Sequence, residues 1–227
     1  MLFRSETRDQ SYFLFATTRD QLDVLRFPLG DMPKSEVRAL AAEYGLVTAG
    51  KPDSQDICFV PQGRYTDVVR KLRPDASQPG EVVDLDGHVL GTHQGILHFT
   101  VGQRKGLNLS GNAEPLFVVR LDAAERKVVV GPREALRTRT INVADVNWLV
   151  PAPEGVPLAC HAKVRSMRPP VAASVTPLPG RQAHVELAGG EDAVAPGQAC
   201  VFYSEVGGRV LGGGWIRKGP TNSAAAA

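Results

Sequence analysis

The chain has 227 residues, 43% hydrophobic and 22% charged, the balance of a protein with a packed core rather than of an unstructured tail. Its 26 Lys and Arg against 24 Asp and Glu leave a net charge of only +2, so any nucleic-acid contact must come from local clusters rather than from an overall basic excess. No apolar run reaches membrane-spanning length and no charged-then-apolar leader opens the sequence, so the expectation is a cytoplasmic protein with no membrane partner.

The N-terminal part reads as helical. Asp9 or Ser11 suits a cap before Tyr12, Phe13, Leu14 and Phe15, and Thr18 with Gln21 fits a capping box before Leu22 and Leu25. Pro28 and Gly30 interrupt it; Pro33 then suits a first helical position, with Val37, Leu40, Ala41 and Tyr44 at helical spacing until Gly45. These segments read as the last helices of an α/β domain whose inward faces are partly exposed. Tyr65, Val68, Val69 and Leu72 predict one more helix, ended by Pro74. The pattern then changes to short runs with turn signals. Gly80 to Asp84 and His88 to Gly91 flank an Asp86-Gly87 turn, and Leu116 to Leu121 pairs with Lys127 to Gly131 across a second turn. Between the two hairpins, Thr100 to Leu107 reads as a Gly-punctuated polar loop. From Thr140 onward, runs at 141–146, 158–164, 171–175, 183–187, 200–203 and 210–216 recur between Gly and Pro turns, the spacing of a sandwich or barrel.

Chemistry centres on Cys58, in Lys51-Pro52-Asp53-Ser54-Gln55-Asp56-Ile57-Cys58-Phe59. Two readings of it stand. A cysteine between Ile57 and Phe59 suits a small core hydrophobe, while the turn-forming residues before it suit a thiol at a loop edge, reactive if Lys51, Arg64 or Lys71 comes near. Cys160 and Cys200 lie among apolar neighbours in predicted strands and read as packing residues. The 3 cysteines are widely spaced without a CxxC pair, which argues against a disulfide scaffold, and the 5 histidines give no zinc-ligand pattern with them, so no metal is expected. His93 and His98 read as solvent-exposed hairpin positions. The basic clusters are Arg64, Arg70, Lys71 and Arg73; Arg104 with Lys105; Arg133, Arg137 and Arg139; and Lys163, Arg165 and Arg168. Each fits a phosphate contact or a solvated face.

Arg8-Asp9-Gln10-Ser11-Tyr12-Phe13-Leu14, Phe27-Pro28-Leu29-Gly30-Asp31, the Lys51–Phe59 run, Pro79 to Asp84, Phe99 to Leu107, Pro196-Gly197-Gln198 and Leu211-Gly212-Gly213-Gly214 follow one another in a single order. Together they resemble the tRNA-uridine 2-sulfurtransferases, the 2-thiouridylases that act on the wobble uridine of certain tRNAs. The resemblance implies an α+β, multidomain fold. It places a helical C-terminal part of an α/β nucleotide-binding domain at 1–59, a small, mainly β tRNA-binding domain at 60–138, and a six-stranded β-barrel at 139–220. A disordered tail is expected at 221–227.

The resemblance further implies that Cys58 carries a persulfide whose outer sulfur is delivered to C2 of a uridine activated by ATP. Release then runs through a disulfide with a second cysteine. By the same resemblance Arg8, Asp9 and Gln10 contact tRNA near the target nucleotide, with Arg8 where lysine is usual. Arg165 and Ser166 contact tRNA where an aromatic residue usually follows the arginine, and Gln198 makes a further contact. Arg104 and Lys105 are possible contacts from the Gly102–Gly106 loop. The family's Ser-Gly-Gly-x-Asp-Ser loop for ATP does not occur in the sequence, so the chain is expected to lack the ATP site and to be inactive alone. The expected partners are tRNA and a protein that donates persulfide sulfur. An alternative is a non-catalytic RNA-binding module in which Cys58 is residual, and a third reading is a barrel that binds another protein.

Overall fold

The computed structural model describes residues 11–51, 77–109 and 114–217. The expected helix around Tyr65 to Leu72, the tail, Cys58, Arg8, Asp9 and Gln10 lie outside the described residues. The described residues fall into two compact units: 11–51 with 139–190 and 195–217, and 77–109 with 114–138 and 191–194. Both are mainly β. No described helix is long and apolar enough to cross a membrane.

The second unit is a four-stranded sheet of β1 (Gly80–Val83), β2 (Val89–His93), β3 (Phe117–Asp122) and β4 (Lys127–Gly131), in the order β2-β1-β4-β3. Both expected hairpins are present as antiparallel pairs. What joins them is a parallel pairing of β1 with β4, matching Val82 to Val128 and Val83 to Val129. This explains the unbroken Val128-Val129-Val130 run, since an inner strand covered on both faces has no polar side to alternate with. Val82, Val118, Val128, Val130 and Leu107 form one core, so the polar loop ending at Leu107 is anchored by its last residue. Gly80 lies where the Arg126 carbonyl leaves no room for a Cβ.

That carbonyl also accepts a bond from His93 Nε2 (3.1 Å), while His93 Nδ1 accepts from the Gly95 amide (3.0 Å). The bonds define a neutral ring protonated at Nε2, and His93 is only 4% exposed, which corrects the expectation of a solvent-exposed hairpin histidine. The reason is that the chain folds back after β2 and uses the imidazole to tie Gly95 to the turn before β4.

In the first unit, β5 (Arg137–Trp148), β6 (Leu158–Lys163), β7 (Val171–Leu178), β8 (Gln182–Asp192), β9 (Ala199–Tyr203) and β10 (Val210–Ile216) close into a barrel in the order β10-β5-β8-β7-β6-β9. Closure decides between sandwich and barrel and leaves no free edge. Trp148 stacks on the fully buried Phe202, with ring centroids 5.3 Å apart. On β5 the residue Asp145, at φ 54°, is an extra residue against β10 and makes a bulge: Asn147 pairs Gly213 and Ala144 pairs Trp215.

The segment before the barrel is a 3-10 helix over Ser11–Ala16, then α1 (Arg19–Val24) and α2 (Lys34–Glu43). The Thr18–Gln21 capping box is present with both reciprocal bonds, whereas Pro33 is the N-cap of α2 rather than its first residue. Gly45, at φ 65°, follows the end of α2, which has no buried residue; Tyr44 is 74% exposed. Ser11 is not a helix cap. Ser11, Tyr12 and Phe15 are buried against the outer face of β9, where Tyr12 and Phe15 pack with Ala199, Val201 and Tyr203. All 5 residues of β9 are therefore buried, the even positions by the barrel interior and the odd ones by the 3-10 helix. Gly213 makes the close approach possible. A Cβ there would lie 3.0 Å from Phe15 Cβ and 2.8 Å from the Cys200 carbonyl.

Two outcomes follow. His93 is held below the ordinary imidazole value, mainly by burial, with His98 acting in the same direction against the bond to Arg126. The unfolded chain thus takes up the proton first, and stability present above pH ~6.5 falls as the pH drops below it. Urea unfolding of the β1–β4 unit at pH 7.5 and 5 should show this loss, and His93→Gln should flatten it. Second, Asn147 donates to the carbonyls of Phe15 (2.8 Å) and Thr17 (2.9 Å), so Asn147→Ala should free the 3-10 helix at a cost of about 1–3 kcal/mol. Faster amide exchange confined to 11–17 and the facing strand checks it.

Candidate functional site

The seam between the 3-10 helix and the barrel is tied by several polar contacts between side chains and backbone that are distant in sequence. The Tyr12 hydroxyl donates to the Ala199 carbonyl (2.8 Å), and the Ser11 and Tyr203 hydroxyls lie 3.2 Å apart. Burial pushes the Tyr12 phenol up to about 12, with Cys200 adding in the same direction, so it stays a neutral donor. Lys163, only 6% exposed at the end of β6, holds its ammonium 5.8 Å from the centre of the Tyr12 ring.

From this seam the chain runs directly into the candidate tRNA contacts. Lys163 pairs with Val201, so antiparallel geometry sets the outgoing end of β6 beside the incoming end of β9. The first continues into Arg165 and Ser166, both half-buried, and then Met167, which is 91% exposed. The second is preceded by Gln198, exposed, its carbonyl accepting from Ile216 N (2.8 Å). Arg165, Ser166 and Gln198, far apart in sequence, thus belong to one end of the barrel. An open groove of about 620 Å³ runs along the same unit, lined by the half-buried Leu14, Leu22 and Val210 and the exposed Arg19 and Arg209.

Arg104 and Lys105 belong to the other unit, both exposed at the tip of the Thr100–Leu107 loop. Gln103 builds that loop: its side chain accepts from Thr100 N and donates to the Lys105 carbonyl, while its backbone bonds Val118 of β3. The cations are therefore carried by a braced turn, with Gly102 and Gly106 at φ 90° and 78° supplying the left-handed corners. Of the remaining clusters, Arg133 pairs with Asp192 (3.3 Å).

Among the described residues, Asp84, Asp86 and His88 form a group with metal-ligand atoms within 4.8 Å of one another. Asp84 already accepts from the Asp86 and His88 amides and lies 3.0 Å from the His88 ring, which is what an Asp-closed hairpin turn requires. Sequence reading named Tyr12 only as a helix and motif residue, without its hydroxyl contact to the barrel, and passed over Asn147 and Trp215. Asn147 carries no motif of its own. A tryptophan directly after three glycines was the available signal for Trp215.

Cys160 and Cys200 are sealed, at 1% and 0% exposed. Burial, the larger effect, and Glu205 raise the Cys160 thiol to about 12, and burial raises Cys200 further. Neither ionises near neutral pH, so neither is a nucleophile. Iodoacetamide at pH 8 should leave both unmodified in the folded chain and label them only in urea; labelling of either in the native state would overturn this assignment.

The chain matches three family profiles in succession: residues 3–62 a "tRNA methyl transferase HUP domain", 67–132 a "tRNA methyl transferase PRC-barrel domain", and 138–216 an "Aminomethyltransferase beta-barrel domain". It is 58% identical over 215 residues to the tRNA-specific 2-thiouridylase MnmA of Ruegeria pomeroyi, covering 93% of this chain and 57% of that protein. The MnmA of Methylobacterium radiotolerans is 62% identical over 215 residues, at 93% and 56% coverage. That of Parvibaculum lavamentivorans is 61% identical over 221 residues, at 94% and 55%. The chain spans a little over half the length of these curated relatives. With likeness unbroken through all three segments, the chain belongs to the tRNA-specific 2-thiouridylase family.

Proposed function

We propose that this chain supplies the sulfur-carrying cysteine and the tRNA-holding surfaces of a cytoplasmic tRNA-uridine 2-sulfurtransferase. The observation that carries this is the family likeness over 93% of the chain, which includes the Cys58 segment. The barrel end formed by Arg165, Ser166 and Gln198 supports it, as does the braced Arg104–Lys105 turn. In this reading 1–59 belongs to the catalytic α/β domain, and Arg8, Asp9 and Gln10 reach tRNA from it.

Cys58, charged by a persulfide donor protein, bears the sulfur. Its outer sulfur attacks C2 of the uridine and displaces the former O2, which leaves as AMP because ATP has activated it. A second cysteine thiolate then attacks the Cys58 sulfur; the S–S bond to the uridine sulfur breaks, leaving thiouridine and a Cys58 disulfide. A reductant must restore the thiols. No residue of this chain is assigned to ATP or to the second cysteine, and Cys160 and Cys200 are too deeply buried for that role. The 227 residues alone are therefore proposed to accept sulfur and bind tRNA without completing thiolation.

The test is mass spectrometry of the chain after incubation with a cysteine desulfurase and cysteine, beside tRNA binding across a salt series. One added sulfur on Cys58, lost in Cys58→Ser, is expected. Affinity should fall steeply with salt, and Arg165→Ala should lower the log–log slope by about 1. An unmodified Cys58 with retained tRNA binding would favour a non-catalytic RNA-binding module, and salt-independent or absent tRNA binding would sink both.

A further inference from the structure

The outer face of β10 carries Val210 at its start, packed against the Tyr12–Phe15 cluster, and then Trp215 after three buried glycines. Phe15 meets it edge to face, with centroids 5.3 Å apart and planes at 77°, yet Trp215 remains 43% exposed. Trp148, the other tryptophan, is stacked on Phe202 instead. Trp215 opens onto a hollow of about 570 Å³ bounded by Asp145, Pro196, Gly197, Ile216 and Arg217. The backbone defines its wall rather than filling it: a Cβ placed on Gly197 would meet nothing within 4 Å. Gly197 is at φ 83°, and its amide is bonded to the Ile216 carbonyl (2.8 Å), so the corner is fixed.

Two charged groups complete the hollow. The bulge turns Asp145 outward, where its carboxylate accepts from Arg217 Nη2 at 2.7 Å. Both side chains stay exposed, at 59% for Arg217 and 57% for Asp145. The ion pair uses one N–H of the guanidinium, leaving a planar fork of donors and a second carboxylate oxygen beside an indole. Because the arginine charge is largely offset, the chemistry suits a flat group with donors and acceptors on its edge better than a bare phosphate.

We propose that Trp215, Arg217 and Asp145 form a subsite for one unpaired nucleobase of the bound tRNA, stacked on the indole and read at its edge by the ion pair. This rests on the proposed function, and extends the contact surface of the barrel past Gln198, whose carbonyl is bonded to Ile216 at the rim. An aromatic platform gives affinity for a base without strong sequence choice. Stacking adds no counterion release, so the indole contributes to binding without contributing to its salt dependence.

The experiment titrates the 227-residue chain with an unmodified tRNA transcript and follows both affinity and tryptophan emission. Trp215→Leu should weaken binding about tenfold at an unchanged salt slope, and Trp215→Phe should fall between, as expected for loss of one stacked base. Because Trp215 also touches Phe15, the wild-type chain supplies an independent reading: bound tRNA should quench the exposed tryptophan and protect it from iodide. If wild type binds tRNA while iodide access is unchanged and Trp215→Leu binds equally well, the subsite is wrong and the proposed function stands. If wild type does not bind tRNA, the proposed function itself fails and takes the subsite with it.

Discussion

The first unit depends on one close approach: Phe15 of the 3-10 helix packs against Gly213, a position on β10 that has no room for a side chain. Without it the outer face of β9 would present Ala199, Val201 and Tyr203 to solvent, although each is at most 5% exposed in the fold. Burying side chains of this size is worth about 1.5–3 kcal/mol for each large one. Asn147 adds direction to that apolar contact by bonding the Phe15 and Thr17 carbonyls, and Tyr12 does so by bonding Ala199. The segment is therefore held at both ends by hydrogen bonds and in the middle by packing.

This arrangement gives the barrel two jobs at once. One set of its residues grips the N-terminal segment, and another, immediately adjacent along β6, β9 and β10, offers Gln198 and Trp215 to solvent beside the half-buried Arg165. Lys163 belongs to the first set and stands only two residues from Arg165. In the proposed enzyme, a tRNA resting on the barrel end would rest on strands that also position the segment following Arg8, Asp9 and Gln10. The Leu211-Gly212-Gly213-Gly214 motif thus has a mechanical meaning. Cβ atoms at Gly212 and Gly214 would lie 2.5 and 2.6 Å from carbonyls of β5, so the glycines let β10 fit tightly between its neighbours.

How far the sequence could be read depended on whether the signal was local. The Thr18–Gln21 box, both hairpins and all six barrel strands follow from turn chemistry and apolar runs, and the structure has them. The parallel pairing of β1 with β4 was not legible, because it joins strands that are distant in sequence and leaves only an ambiguous valine run as its trace. The buried state of His93 was hidden for a similar reason: its partners are backbone atoms of Gly95 and Arg126, which carry no residue-type signature. The Cys200-Val201-Phe202-Tyr203 run was visible as a strand, which the structure begins one residue earlier at Ala199. That its odd positions face a helix rather than solvent is a tertiary fact. The candidate contacts were named from motif likeness, and what the structure adds is that Arg165, Ser166 and Gln198 share one end of the barrel.

The most direct test of this account is thermal and urea unfolding of a chain beginning at Thr18, compared with the full 227 residues. If the 3-10 helix is an integral layer of the barrel, its removal should lower the stability of the first unit by several kcal/mol and expose an apolar face that binds a hydrophobic dye, while leaving the β1–β4 unit unchanged. A barrel that melts at the same point with and without residues 1–17, and binds no dye, would contradict it.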